Sequence, residues 1–79
     1  MLYESTTKLP PAEALARAEA FFAGEYGLDR QSRDAREAGF TGGGGHVIVR
    51  VVREDPTTLE LETREWDVAV QSFLAQLPR

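Results

Sequence analysis

The chain has 79 residues, a formal net charge of −4 and no cysteine. A chain of this length holds one hydrophobic core, so residues 1–79 are expected to form one domain that hides only about 60% of the surface its unfolded form exposes. The missing cysteines exclude a disulfide framework and thiolate zinc sites, and the acidic balance opposes phosphate backbones, so neither nucleic acid nor a cofactor is expected as a partner.

No apolar run approaches the roughly 18 residues of a membrane span, and Met1 to Ser5 lacks the basic and apolar regions of a signal peptide. A cytoplasmic protein without a membrane partner is expected. Lys8 is the only lysine beside many arginines, alanines and glycines, a composition in keeping with a bacterial source.

Leu2 to Lys8 is rich in Tyr, Ser and Thr and predicts a strand, placed at a sheet edge because Pro10 and Pro11 follow at once. Ala12 to Tyr26 predicts one helix. Pro11 suits its first turn, Leu15, Ala18, Phe22 and Tyr26 form its apolar face, and Gly27 is placed for a left-handed stop. Leu28 to Phe40 has no apolar face. It is read as two weak strands, about Leu28 to Arg33 and Arg36 to Thr41, although Ser32 to Ala38 also has helical propensity.

Gly42 to Gly45 lead into His46 to Arg53, whose β-branched density predicts a central strand. Asp55-Pro56 marks a turn, and the alternation of Thr58 to Arg64 predicts an antiparallel strand with one wet face. Centring the glycine hairpin on its loop sets Phe40 opposite Val47 and Glu37 opposite Arg50. Centring the second hairpin on Asp55-Pro56 pairs Val51 with Leu61, Val49 with Thr63 and Arg50 with Glu62. Trp66, Val70, Phe73, Leu74 and Leu77 then follow helical spacing over Glu65 to Leu77. The expected fold is α+β, an antiparallel sheet of four to five strands with two helices packed on one face, in the order β-α-β-β-β-β-α.

Motifs for chemistry are sparse. The glycine run lacks the Lys-Ser/Thr pair and following helix of a phosphate loop, so a flexible hairpin loop or bulge is the expectation. His46 is the sole histidine and reads as a surface residue near a strand end, without a triad context or metal-ligand companions. Glu60 and Glu62 share a strand face that is expected to lie open to water beside Arg50 and Arg64, which suits structural carboxylates better than a general acid. Phe22, Tyr26, Trp66 and Phe73 are core residues or, alternatively, the walls of a pocket between helices and sheet.

This order of a strand, a helix, a run of antiparallel strands and a closing helix resembles a reduced helix-grip arrangement, that of START and Bet v 1-like lipid-binding domains, at roughly half the usual length. The likeness is one of element order. The segment Thr63-Arg64-Glu65-Trp66-Asp67, with Phe73-Leu74 and Leu77-Pro78, is also similar to small bacterial proteins of unknown function and implies no activity.

With both helices on one face, the other face is expected to carry His46, Ile48, Arg50 and Val52 beside Thr58, Glu60, Glu62 and Arg64. A non-enzymatic protein acting by association is the leading expectation. It would form a homodimer or dock a protein partner through an edge strand or this open face, with Ile48, Arg50, Val52, Glu60 and Glu62 as candidate interface residues. The alternative is a small hydrophobic-ligand binder using Phe22, Tyr26, Trp66 and Phe73.

Overall fold

The extended segments pair into one antiparallel sheet in a computed structural model that describes residues 1–79. Its strands are β1 (Leu2–Thr7), β2 (Asp29–Arg33), β3 (Glu37–Gly42), β4 (Gly45–Glu54) and β5 (Thr57–Arg64). They lie in the order β1-β5-β4-β3-β2, so the β-branched β4 is the middle strand and β1 is an edge. Helix α1 (Pro11–Ala18) and a π-helical segment (Glu19–Glu25) carry the chain from one edge to the other, and α2 (Asp67–Gln76) closes it. The α+β class, the strand count and the element order are as the residue pattern predicts. No helix is long and apolar enough to cross a membrane.

Alternation decides which face is covered. Val47, Val49 and Val51 of β4 and Leu59 and Leu61 of β5 are buried against Leu15, Phe22, Val70 and Phe73 of the helical layer. The intervening His46, Ile48, Arg50, Glu60 and Glu62 lie on the uncovered face and are only partly buried.

The expected single helix over Ala12 to Tyr26 changes winding after Ala18. Tyr26 N–H donates to the Phe21 carbonyl five residues back at 3.1 Å, and Leu28 N–H to that of Phe22 at 2.9 Å. A π-turn spreads one turn over more residues, which lets the consecutive Phe21 and Phe22 both reach the core. Tyr26, expected on the apolar face, falls past this segment and is 44% exposed. Gly27, at φ 71°, makes the left-handed stop.

The β3/β4 hairpin has the expected register, Phe40 opposite Val47 and Glu37 opposite Arg50. Its loop is tighter than expected. Gly43 (φ 58°) and Gly44 (φ 82°) form a two-residue turn of type I′ between the paired Gly42 and Gly45.

The β4/β5 register differs from expectation by two residues. Val51 pairs with Leu59, Val49 with Leu61 and Arg50 with Glu60. Only Asp55 and Pro56, joined by a cis peptide bond, separate the paired Glu54 and Thr57, and a bulge at Val52 then shifts the ladder. A shift of two preserves the inward and outward sets, so the core face is unchanged. Thr58, expected on the wet face, is fully buried: it lies between Thr6 and Arg53 in the ladder, and its hydroxyl donates to the Pro56 carbonyl at 3.1 Å.

Candidate functional site

The uncovered face is organised by Arg50. Its Nε donates to Glu37 Oε1 on β3 at 3.0 Å, and its Nη1 reaches Glu62 Oε1 at 3.3 Å and Glu60 Oε1 at 3.4 Å on β5. The ladder explains this convergence. Glu37 and Glu60 are the direct partners of Arg50 on either side, and Glu62 is the next outward residue. Burial pushes the Arg50 pKa down, but the hydrogen bonds to Glu62 and Glu37 outweigh it and hold the guanidinium above its ordinary value. His46 Nε2 lies 3.5 Å from Glu62 Oε2, and Arg53 Nη2 lies 3.2 Å from Glu4 Oε2 across the β1 side.

The candidate interface residues therefore divide. Arg50, Glu60 and Glu62 form one ion-pair cluster. Ile48 sits half-buried beside it, between Gly39 of β3 and Glu62 of β5, while Val52 projects from the bulge and is 38% exposed. This face is a charge ladder with Ile48 and Val52 set among the charges. No group of three His, Cys, Asp or Glu side chains is arranged to hold a metal ion.

The aromatic candidates also divide. Phe22 and Phe73 are buried with ring centroids 5.3 Å apart, and Phe22 lies 5.6 Å from Phe40. Tyr26 and Trp66 form a second pair 5.9 Å apart near the surface. Trp66 Nε1 donates to the Gly42 carbonyl at 2.9 Å, seating the indole on the glycine turn. Of the four, only Phe73 borders the cleft between the π-segment and α2, a space of about 110 Å³ floored by Ala20, Phe21, Phe73 and Leu77 with Arg17 and Glu25 at its rim.

No family model, curated protein or solved structure matches this chain. Function is therefore argued from the surfaces themselves.

The two sheet edges differ, which the residue pattern does not reveal. Edge β2 is interrupted: its register shifts between Arg30 and Ser32. Arg30 and Arg33 both grip Glu19 of the π-segment, at 2.7 and 2.8 Å. Edge β1 pairs without a break along β5 from Leu2 to Thr7. Beside it, Gln71 of α2 donates to the Tyr3 hydroxyl at 3.3 Å, so the outer row of α2 borders this edge. Val68, one turn before Gln71, is 78% exposed. Val68 departs from the Trp66, Val70, Phe73, Leu77 spacing, and that departure is the signal that could have marked it.

The Glu19 clamp has a pH signature. Hydrogen bonds from Arg30 and Arg33 outweigh a small burial cost and hold the Glu19 carboxyl below its ordinary 4.5. A carboxyl lowered on folding adds stability above its unfolded value and loses it as pH falls through the folded value. Glu19→Gln is thus expected to lower the urea midpoint at neutral pH and to flatten its decline below about pH 4.5. A series of urea midpoints from pH 7 to 3 for both proteins checks this, and parallel curves would refute the assignment.

Proposed function

We propose that this is a non-enzymatic protein that acts by self-association, with the homodimer as its working form. The observation that carries the reading is the unbroken, unpaired edge β1, flanked by the exposed Met1, Leu2 and Val68. Native sheets blunt their edges with bulges, prolines, lysines or covering elements, as β2 does here, and an edge left open is a site for strand addition. In a chain this short a second copy also enlarges the core that one copy can build. The charge ladder around Arg50 remains outward in such an assembly and is the surface available for further protein contacts.

Native mass spectrometry and sedimentation across a concentration series test the reading. The expected result is a species of twice 8.8 kDa that dissociates on dilution. A species of 8.8 kDa at every concentration would refute it.

A second reading, binding of a small hydrophobic ligand, is favoured by the cleft over Phe21, Phe73 and Leu77 and by the resemblance in element order to helix-grip domains. At about 110 Å³ the cleft suits a ring-sized ligand, below the few hundred Å³ of ordinary ligand sites. A retained mass lost on denaturation would support it. Absence of any thermal shift across a panel of small aromatic and aliphatic compounds would refute it.

A further inference from the structure

The hydrogen-bond pattern of β1 identifies which of its backbone groups are free. Met1 and Thr63 exchange both backbone bonds, Met1 N to Thr63 O at 2.7 Å and Thr63 N to Met1 O at 2.9 Å, so they form a closely bonded pair of the antiparallel ladder. Alternation then turns the backbone groups of Tyr3, Ser5 and Thr7 toward β5. Those of Leu2, Glu4 and Thr6 turn to the open side, where the Thr6 carbonyl accepts one long bond from Ser5 Oγ at 3.5 Å and keeps its second lone pair. The free stretch ends at Thr6, because the next outward N–H, that of Lys8, donates to the Pro78 carbonyl at 3.1 Å.

Resting on the self-association reading above, we infer that the partner is a second copy of this chain joined antiparallel along β1, with the two-fold axis at Glu4, to make one continuous sheet. Three observations select this arrangement. The outward groups at Leu2, Glu4 and Thr6 are evenly spaced about Glu4, so a reversed copy matches them all, Leu2 opposite Thr6 of the second copy and Glu4 opposite its equivalent. Pro78 occupies the position beyond Thr6 and blocks a register moved further along the strand. The two Glu4 carboxylates meet at the axis, and each already holds the Arg53 guanidinium of its own chain at 3.2 Å, which offsets the like charge.

The flanking surfaces agree. Tyr3 and Ser5 lie on the helix side of the sheet, where Tyr3 meets Gln71, so the seam brings the outer rows of the two α2 helices toward each other with Val68 exposed on each. The opposite side of the seam carries Leu2, 59% exposed in the single chain, beside Thr6 of the second copy. The charge ladders around Arg50 then lie on the same side of one extended sheet.

The absence of cysteine makes the seam directly testable. Glu4→Cys places two thiols across the axis at a bonded-pair spacing of about 5.5 Å between Cα atoms, within disulfide reach. Ile48→Cys places them on the uncovered face, away from the seam. Mild oxidation of the 79-residue chain is expected to convert most of the Glu4→Cys variant to a covalent dimer and to leave Ile48→Cys uncrosslinked on a non-reducing gel. Glu4→Pro, which removes an outward N–H and the exposed carboxylate beside Arg53 but no hydrogen bond to β5, is expected to retain the wild-type circular dichroism and to run as a monomer. A wild-type dimer in which Glu4→Pro still dimerises, or in which Ile48→Cys crosslinks in place of Glu4→Cys, overturns the β1 seam and leaves self-association standing. A wild-type monomer at all concentrations overturns both.

Discussion

Phe22→Ala is expected to destabilise the domain by about 3–5 kcal/mol, enough to leave most of a chain this small unfolded at room temperature. Phe22 is fully buried and stands at the centre of the aromatic layer, 5.1 Å from Phe21, 5.3 Å from Phe73 and 5.6 Å from Phe40 between ring centroids. Truncation removes the transfer free energy of the ring and leaves a void that the sheet beneath cannot fill, because Val47, Val49 and Leu61 are held in their own register. Urea titration followed by circular dichroism measures the loss, with Tyr26→Ala, at a half-exposed ring, as the small-effect comparison. The result also separates the two roles given to this residue. A Phe22→Ala chain with the wild-type midpoint and a changed ligand profile would make Phe22 a pocket wall instead of a core anchor.

Gly45→Ala is expected to cost about 3 kcal/mol, and Gly44→Ala only about 1 kcal/mol, although Gly44 has the positive φ and Gly45 does not. A side chain at Gly44 meets open space, so its penalty is the left-handed backbone alone. A Cβ at Gly45 runs into the Arg64 carbonyl oxygen and would lie 2.7 Å from Glu65 Cβ. Backbone cannot step aside there without breaking the pairing of His46 with Arg64. Glu65 itself holds φ 75°, an uncommon conformation for glutamate, so the crossing of the hairpin and the start of α2 has little freedom to relax. Trp66, the only tryptophan, donates to the Gly42 carbonyl beside this turn, and its fluorescence reports whether the hairpin is closed. Equal losses for Gly44→Ala and Gly45→Ala in urea titration would show that turn conformation, and not the approach of Arg64, sets the requirement for glycine.

These two residues show different ways in which a sequence can be read. Phe22 is recognisable from spacing, since it falls seven residues after Leu15 on the apolar face. The need for glycine at Gly45 is not, since it depends on the Arg64 carbonyl at the far end of β5. Among the candidate site residues the same division holds. Glu37 opposite Arg50 follows from a hairpin centred on four glycines, because a loop with no bulge fixes every pair behind it. Glu60 opposite Arg50 does not follow from Asp55-Pro56, because the bulge at Val52 changes the count by an amount that no local pattern displays.

The amino-acid sequence by itself determined the type and order of the elements, the inward and outward sets of β4 and β5 away from the bulge at Val52, and the side of the sheet that the helices cover. Each rests on short-range periodicity or turn chemistry, which acts within a few residues. Tertiary structure alone decided the π-winding that buries Phe21 beside Phe22, the β4/β5 register, the cleft at Phe73 and the contrast between the two edges. The last depends on Met1 meeting Thr63 across 62 positions of chain, and on Glu19 gathering Arg30 and Arg33. Such contacts are set by how the whole sheet closes on its helices, and local spacing holds no record of them.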